Sequence, residues 1–369
     1  MITYQPKQNI VESDARILVN TVNVVGVMGK GVALAFKQKF PEIMPRYMEA
    51  CDGKKIAPGT FQVLPTDDGR NIINLATKDH WRDPSRYEWV GTGLIYLNRF
   101  LTSRLKEPAS LCMPMPGAGN GGLEAARVQQ MIRIYMYPQL ARGLDLRLCA
   151  GELSEIDDPV YFAGVGARKT PGKILNLMEE VGALLTEDGM RLRSGGAIGA
   201  DTAFYNGAKE VDPDLMEIFL AKPKPGIIGA VTEISPVFGR LARNFHPKPQ
   251  AITPTHDNDR RQNAFKLMSR NGCQVFGADF TIPSNVIICW TPEGKGQGGT
   301  GQAIRLANTA GIPVIDLGRP DLQGISARDV RDMTRAAVAG FRKSRNLPEF
   351  LPKIDAGEAF PTGVGSNAC

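Results

Sequence analysis

Residues 17–41 constrain the fold more than any other stretch of this chain. They begin with an apolar, β-branched run from Ile17 to Val22, which predicts a buried strand. A loop with glycines at positions 26, 29 and 31 follows, and then a helical pattern that ends at Pro41. This order presents backbone N–H groups and a helix N-terminus to an anion such as phosphate. A plain turn uses the same glycines, so this pattern alone leaves both interpretations open.

A second strand and glycine loop lie further along the chain. Residues 109–115 predict a strand that runs into the glycine loop 116–123 and a second helix. Between the two loops, residues 60–65 and 71–76 predict two strands joined by the turn 66–70. Two glycine loops at the strand ends of one sheet are harder to explain as turns than one loop is, which favours a phosphate-binding sheet edge.

The motifs themselves resemble those of a known family. Asn20-Thr21-Val22-Asn23, with the loop that follows, resembles a macrodomain, and in particular the macrodomain of the DarG antitoxins. The similarity continues at Thr77-Lys78-Asp79-His80-Trp81-Arg82 and at the second glycine loop. The resemblance implies an α/β/α sandwich over residues 1–150, with its ligand at the carboxyl ends of the strands. It also implies an enzyme that removes ADP-ribose from DNA thymidine or a related adduct, in an antitoxin or anti-defence role.

The resemblance implies roles for individual residues. Lys78 corresponds to the catalytic lysine of the family, whereas without the resemblance a surface lysine on a polar loop is the simpler interpretation. Asn20 and Asn23 are expected to contact the ribose or base, or else to bond the loop backbone. The expected ADP-ribose-binding residues are Asn20, Asn23, Gly29, Lys30, Gly31, Gly117, Ala118, Gly119, Asn120, Gly121 and Gly122. We expect neither a metal nor a cofactor.

The chemistry expected of Lys78 follows from the bond that breaks. Cleavage at C1″ of the ribose passes through an oxocarbenium-like state, so a catalyst must stabilise positive charge or supply a nucleophile. A lysine whose pKa is lowered by partial burial can attack C1″ as a neutral amine and form a Schiff base with the opened ribose.

The second loop departs from the pattern of related enzymes in two ways. A related terminal ADP-ribose protein glycohydrolase carries an aspartate as the partner of its lysine, whereas this chain has Gly121 or Gly122 there, as in DarG. The nearest acid is Glu124, so no general acid is assigned. In addition, Asn120 stands where the usual Gly-Cys-Gly-Leu of DarG has leucine, which makes the group beyond the ribose harder to assign.

The alternation of strand, glycine loop and helix restarts after an acidic linker, residues 151–158. Strands at 160–163, 190–194, 285–290 and 312–317 predict a doubly wound, Rossmann-like domain over residues 159–320. A charged helix and a tail occupy residues 321–369. Residues 221–255 are long for a connection, and the sequence leaves open whether they cap the ligand or form a surface excursion.

Two motifs of the second half resemble the SLOG superfamily, which includes DprA-like, YpsA-like and LOG-type proteins. They are Ser194–Asp201 and Gly298–Gly301, and they imply a nucleotide-type ligand held by backbone amides. The catalytic glutamate of LOG-type enzymes is missing after the second motif, which favours binding over hydrolysis. Asp201 is also a candidate N-cap. The expected ligand-binding residues are Gly164, Gly166, Arg168, Gly195, Gly196, Gly199, Asp201, Gly298, Gly299 and Thr300.

Composition adds weaker constraints. The net charge of +6 is compatible with nucleic-acid or nucleotide partners without arguing for them. The six cysteines lie far apart and without a C-x-x-C pair, which indicates reduced thiols. We expect no signal peptide and no membrane span, hence a cytoplasmic protein of a bacterium or a phage-infected cell. The SLOG resemblance makes a homo-oligomer possible.

Three functions therefore remain. The first is a macrodomain ADP-ribosylglycohydrolase with a nucleotide-binding module. The second is a non-catalytic protein that binds or sequesters ADP-ribose or NAD-derived nucleotides in both halves. The third is a nucleotide hydrolase centred on the second half, against which the missing glutamate argues. Lys78 separates the first two, because only an enzyme needs it for rate.

Overall fold

The computed structural model describes residues 2–104, 109–255 and 259–353, which contain two six-stranded sheets. The first sheet contains β1 (Ile2–Tyr4), β2 (Ile17–Val22), β3 (Phe61–Pro65), β4 (Asn71–Ala76), β5 (Ser110–Met113) and β6 (Asp145–Leu148). The second contains β7 (Tyr161–Gly166), β8 (Arg191–Ser194), β9 (Met216–Phe219), β10 (Ala230–Val231), β11 (Val286–Trp290) and β12 (Val314–Asp316).

Helices connect and cover these strands. Those of the first half are α1 (Gly31–Lys39), α2 (Ile43–Asp52), α3 (Tyr87–Arg104) and α4 (Ala125–Leu140). Those of the second half are α5 (Gly172–Glu187), α6 (Ala200–Val211), α7 (Pro236–Phe245), α8 (Pro249–Ile252), α9 (Asp259–Phe276), α10 (Gly298–Ala310) and α11 (Ala327–Ser344). No helix in the described ranges is long and apolar enough to span a bilayer.

The first sheet is the middle layer of an α/β/α sandwich. Its strand order is β1-β6-β5-β2-β4-β3, and every pair is parallel except β3 with β4. Successive side chains of a strand point to opposite faces. Accordingly Leu18 packs in the cluster with Phe36 of α1 and Tyr47 of α2. Its neighbour Val19 packs on the other face with Leu94 of α3. The mixed α/β architecture predicted for this half is confirmed.

The second sheet is entirely parallel, with the order β10-β9-β8-β7-β11-β12. From β7 the chain proceeds through β8, β9 and β10 toward one edge, and then returns to the other side of β7 to form β11 and β12. The order therefore reverses between β7 and β11, which is where doubly wound sheets open a crevice. This arrangement is compatible with the predicted Rossmann-like domain.

A single hydrophobic core joins the two halves. Leu94 of α3 and Tyr135 of α4 belong to the same buried cluster as Phe238, Phe276 and Phe280 of the second half. The ring of Phe280 stacks on Phe238 at 4.6 Å and on Phe276 at 5.3 Å between centroids. The hydroxyl of Tyr135 donates to the carbonyl of Phe280 at 2.7 Å. The halves are thus packed together through buried aromatic rings and not merely tethered.

The helix α7 lies within residues 221–255. The sequence allows this long connection to be either a cap over the ligand or a surface excursion. Residues Phe238, Leu241 and Phe245 of α7 are buried in the shared core, and Arg240 donates to the carbonyl of Pro58 at 2.8 Å. This part of the segment therefore packs between the two halves. The sequence of this segment alone does not predict that packing, because the surfaces that α7 contacts lie far away in the sequence.

The acidic segment 151–158 is also held in place. The side chain of Gln129 on α4 donates to the carbonyl of Gly151 at 3.0 Å and accepts from the backbone N–H of Leu153 at 2.9 Å. Arg127 on the same helix forms a two-pronged ion pair with Asp158, with 2.8 Å between Nη2 and Oδ1. The linker thus lies along α4.

The charged helix predicted within residues 321–369 is α11, whose N-cap Ser326 forms a capping box with Asp329. His256 and the tail beyond Lys353 lie outside the described residues.

The contact between α3 and Phe280 yields a test. A Cβ added at Gly91 would lie 2.4 Å from Cβ of Phe280. Gly91→Ala should therefore lower the free energy of unfolding by about 1–3 kcal/mol, because the core is overpacked. Gly340→Ala in α11 is the matched control, since a Cβ there meets nothing within 4 Å. It should raise stability by up to about 1 kcal/mol through helix propensity. Urea unfolding measures both, and equal behaviour of the two variants would contradict the shared core.

Candidate active site

Three loops converge where β5, β2 and β4 end. These strands are neighbours in the sheet and mutually parallel, so their carboxyl ends meet at one edge. The loop after β2 covers residues 23–30, the loop after β4 covers 77–86, and the loop after β5 covers 114–124. A Cβ added at Gly31 would lie 2.9 Å from Nδ2 of Asn120, so the first and third loops approach each other closely.

Lys78 connects the second loop to the third. Its Nζ donates to the carbonyl of Asn120 at 2.7 Å and to the carbonyl of Trp81 at 3.4 Å. The side chain remains partly exposed. Among the described residues Lys78 forms no ion pair with a carboxylate, and Glu124 is the exposed N-cap of α4. The amine is therefore positioned by carbonyl dipoles at the junction of two loops.

The helix α1 presents its N-terminus at this junction. Its N-cap is Lys30, which provides no side-chain cap, so the first backbone N–H groups of the helix have no side-chain acceptor there. Gly29, Lys30 and Gly31 are all exposed. An uncapped helix N-terminus reached through an exposed glycine loop is suited to an anion.

Asn23 maintains the shape of the first loop. Its Nδ2 donates to the carbonyl of Val27 at 2.6 Å, and its Oδ1 accepts from the backbone N–H groups of Val25 and Val27. The hydroxyl of Tyr47 donates to the carbonyl of Asn23 at 2.7 Å, and burial raises the pKa of that phenol. Asn23 thus bonds the loop backbone, which is one of the two roles expected for it.

Asn20 lies beneath the loop. Its side chain is fully buried, and its Nδ2 donates to Oδ1 of Asn74 on the adjacent strand at 2.9 Å. Oδ1 of Asn20 and Nδ2 of Asn74 are buried without a hydrogen-bond partner. Asn20 thus joins β2 to β4 below the site edge.

The third loop is folded tightly on itself. The N–H of Leu123 donates to the carbonyl of Gly117 at 3.0 Å, and the N–H of Ser85 donates to the carbonyl of Gly121 at 2.9 Å. A Cβ at Gly121 would lie 2.2 Å from the carbonyl oxygen of Gly117. Gly119, Asn120 and Gly122 are exposed, and Ala118 is half-buried. The loop therefore needs glycine for close packing at Gly121 and leaves its outer backbone accessible.

A second cluster lies where β8, β7 and β11 end. The helices α6 and α10 begin there after glycine loops, and neither has a side-chain cap. Gly298 and Gly299 are exposed at the start of α10, Thr300 is buried, and Arg168 is exposed after β7. These loops flank the reversal of strand order described above. The cluster thus combines open backbone N–H groups with a sheet crevice.

A buried ion pair holds these loops together. Asp201 is 1% exposed, and its Oδ2 accepts from Nη1 of Arg270 at 3.0 Å and from the N–H of Ala197 at 3.3 Å. Its Oδ1 accepts from the N–H of Gly166 at 3.3 Å. Burial raises the pKa of the Asp201 carboxyl, and the charge of Arg270 opposes that shift. The N-cap of α6 is Gly199, so the interpretation of Asp201 as N-cap is wrong.

Several predicted glycines of the second half serve packing. A Cβ at Gly164 would lie 2.5 Å from the ring of Phe204, and one at Gly166 would lie 2.3 Å from Cβ of Ala200. Gly195 is covered by the guanidinium of Arg270. Gly196 and Gly199 have positive φ angles of 63° and 98°. These residues let α6 and α9 approach the sheet closely.

Sequence reasoning missed the partners that complete both clusters. Arg270 and Asn271 lie in the buried end of α9, and Nδ2 of Asn271 donates to the carbonyl of Gly299 at 3.0 Å. Ser85 and Asn74 were missed in the first half. The only available signal was the polar run Ser269-Arg270-Asn271, which has no partner pattern in the sequence.

Comparisons with known proteins match the first half. Residues 19–132 match the family model "Macro domain". A DNA ADP-ribosyl glycohydrolase of Mycobacterium tuberculosis is 43% identical over 135 residues, which are 36% of this chain and 38% of that protein. A DNA ADP-ribosyl glycohydrolase of Thermus aquaticus is 45% identical over 130 residues, 34% of this chain and 35% of that protein. The chain therefore spans less than two-fifths of the length of these curated relatives.

Solved structures are also similar to this half. The macrodomain of Mycobacterium tuberculosis DarG is 39% identical and covers 40% of this chain and 96% of its own, with a TM-score of 0.37.

Substitution of two glycines tests the folding of the third loop. Gly121→Ala forces a Cβ against the carbonyl of Gly117 and should lower the free energy of unfolding by about 1–3 kcal/mol. Gly119→Ala is the matched control, because its Cβ meets nothing within 4 Å, and it should stay within about 0.5 kcal/mol of the wild type. Thermal unfolding compares them, and a loop that tolerates both changes equally would refute the close packing.

The buried ion pair yields a second test. Asp201→Ala leaves Arg270 buried without its anion and should destabilise the protein by about 3–5 kcal/mol. Asp214→Ala, an exposed aspartate of the same half, should have an effect within about 0.5 kcal/mol. Chemical denaturation measures both. Stability retained in Asp201→Ala would mean that the loops do not depend on this pair.

Proposed function

We propose that the first half of the chain is a macrodomain ADP-ribosylglycohydrolase that removes ADP-ribose from DNA thymidine or a related adduct. The observation that carries the proposal is the position of Lys78, whose amine meets the carbonyl of Asn120 at 2.7 Å beside two glycine loops. Relatives that are 43–45% identical are named DNA ADP-ribosyl glycohydrolases, which supports the same activity.

The loops supply the groups that ADP-ribose requires. Its diphosphate would lie at the uncapped N-terminus of α1, against the N–H groups that follow Gly29 and Lys30. The exposed backbone of Gly119 and Gly122, together with the half-buried Gly117, would contact the distal ribose and diphosphate. Most of these contacts would come from the backbone. Glycine is therefore more important than any particular side chain where the loop backbone approaches the ligand closely.

Lys78 acts at C1″ in this proposal. The bond between C1″ and the base nitrogen breaks with its electron pair going to that nitrogen, the neutral lysine amine bonds to C1″, and the proton that the amine releases ends on the base nitrogen. Opening of the ribose gives a Schiff base, which water hydrolyses to free ADP-ribose and the lysine amine. The carbonyls of Asn120 and Trp81 orient Nζ before the substrate arrives, which lowers the entropic cost of reaching the reactive geometry.

The second half is proposed to be a SLOG-like module that binds a nucleotide-type ligand. Support comes from the uncapped N-termini of α6 and α10 beside the reversal between β7 and β11. Asp201 and Arg270 neutralise each other inside the cluster, so they shape the loops instead of meeting the ligand directly. The proposal also includes an antitoxin or anti-defence role for the whole chain.

One observation favours the alternative of a non-catalytic binder. Lys78, Asn20 and Asn23 all make internal hydrogen bonds, so the site is built to hold its own loops as well as a ligand. A binder tolerates the loss of the lysine, whereas an enzyme does not.

Hydrolysis of a thymidine-ADP-ribosylated oligonucleotide separates the two functions. Lys78→Ala should reduce kcat/KM by about 100-fold or more, equivalent to about 2.7 kcal/mol of transition-state stabilisation. Lys55→Ala serves as control and should retain full activity, since this exposed lysine forms a surface ion pair with Glu49. Release of ADP-ribose is measured by chromatography.

Two outcomes would contradict the proposal, the first its mechanism and the second the enzymatic activity itself. Equal turnover by wild type and Lys78→Ala would remove the lysine from the mechanism. No turnover by either, together with tight binding of ADP-ribose by both, would establish the binder instead.

A further inference from the structure

Exposed apolar side chains gather at the mouth of the candidate active site. Among the described residues, nine large apolar side chains are exposed, and four of them surround the first two loops: Val25, Val27, Met48 and Trp81. The N–H of Val24 donates to the carbonyl of Asp79 at 3.3 Å, which joins these loops directly. A Cβ at Gly26 would lie 3.6 Å from Cγ of Met48, which places α2 beside them. The site is therefore rimmed by apolar surface.

Trp81 is the largest side chain of this rim. It is 45% exposed, and its own carbonyl accepts from Nζ of Lys78. Another tryptophan, Trp89, is partly buried and packs against the core that the two halves share. Trp81 instead remains at the surface three residues after the proposed nucleophile. An exposed indole beside a reactive amine is a candidate contact for the substrate.

Two neighbouring side chains contact the indole of Trp81, which is still 45% exposed. The guanidinium of Arg82 lies over the ring of Trp81 at 4.5 Å from its centroid, and His80 lies at 5.3 Å between centroids. A cation–π contact holds the indole in one orientation. Arg82 is exposed, so its positive charge is also available to a phosphate. A flat π surface beside a cation is the combination that holds single-stranded nucleic acid.

We propose that Trp81 and Arg82 form a stacking platform for a nucleobase of the DNA strand that carries the adduct. Trp81 stacks on a base near the modified nucleotide, and Arg82 attracts the adjoining phosphate. The platform makes the enzyme prefer an adduct within a single strand over the isolated nucleoside adduct. This inference rests on the proposed glycohydrolase function and adds to it the two residues that hold the strand beside the adduct.

The length of the substrate tests the platform. KM and kcat are measured for ADP-ribosylated thymidine, for a single-stranded oligonucleotide with one such adduct, and for an ADP-ribosylated peptide. For the wild type, KM should be about tenfold lower on the oligonucleotide than on the nucleoside. Trp81→Ala should abolish this gain, and Trp81→Phe should keep most of it because a phenyl ring still stacks. Alanine retains the backbone carbonyl that meets Lys78, so the substitution removes only the ring.

A control and a second readout complete the experiment. Met333→Ala removes an exposed apolar side chain of α11 and should keep the full gain. Fluorescence anisotropy with an unmodified, labelled single strand measures binding without turnover. Trp81→Ala should weaken it about tenfold, and Arg82→Ala should reduce the slope of log K against log salt by about 0.7 for one lost phosphate contact.

The possible failures are distinguishable. An undiminished oligonucleotide gain in Trp81→Ala, an equal loss on nucleoside and oligonucleotide, or a larger gain on the peptide would each overturn the platform. If the wild type cleaves no adduct, the glycohydrolase function fails, and the anisotropy measurement still decides whether Trp81 binds a strand. Loss of strand binding in Trp81→Ala supports the platform in that case, and unchanged binding overturns it.

Discussion

The burial of Phe280 is the contact on which the arrangement of the two halves depends. Phe280 is fully buried, lies between Phe238 and Phe276, and faces Gly91 of α3. Its φ of 69° is a left-handed conformation that a bulky residue rarely adopts, so the surrounding contacts must compensate for that strain. The hydroxyl of Tyr135 satisfies its carbonyl. Buried residues of both halves thus form one shared core around Phe280.

The strands were predictable because their signals are local. The β2 span from Ile17 to Val22 and the β4 span from Asn71 to Ala76 are the predicted residues themselves. Helix α3 carries an equally local signal, since the apolar residues Val90, Leu94, Leu97 and Leu101 recur at helical spacing and all four are buried. The shared core was not predictable, since Gly91 and Phe280 carry no sign of each other in the sequence. Short strands such as β1, with three residues, offer too few positions for a pattern.

The candidate site divides in the same way. Glycine loops after apolar strands are local patterns, and both loops of the first half lie at one sheet edge as expected of parallel strands. The contacts that shape them join distant residues: Asn20 with Asn74, Ser85 with Gly121, and Arg270 with Asp201. Asparagine and aspartate in or beside such loops look like ligand contacts in a sequence, and in the structure Asn20, Asn23 and Asp201 bond other parts of the chain. A single sequence cannot separate these two uses.

The two clusters differ in the charges they leave accessible, and this difference argues for where the chemistry occurs. In the second half, Asp201 and Arg270 form a buried ion pair, so their charges hold the loops together and are not accessible at the surface. In the first half, Lys78 is partly exposed, and within the described residues its hydrogen-bond partners are two carbonyl oxygens, so its amine can exchange these contacts for a substrate. A nucleophile must reach its substrate, whereas a nucleotide can be held by backbone N–H groups alone. This difference in accessible charge is the reason that we propose reaction at the first cluster and binding at the second.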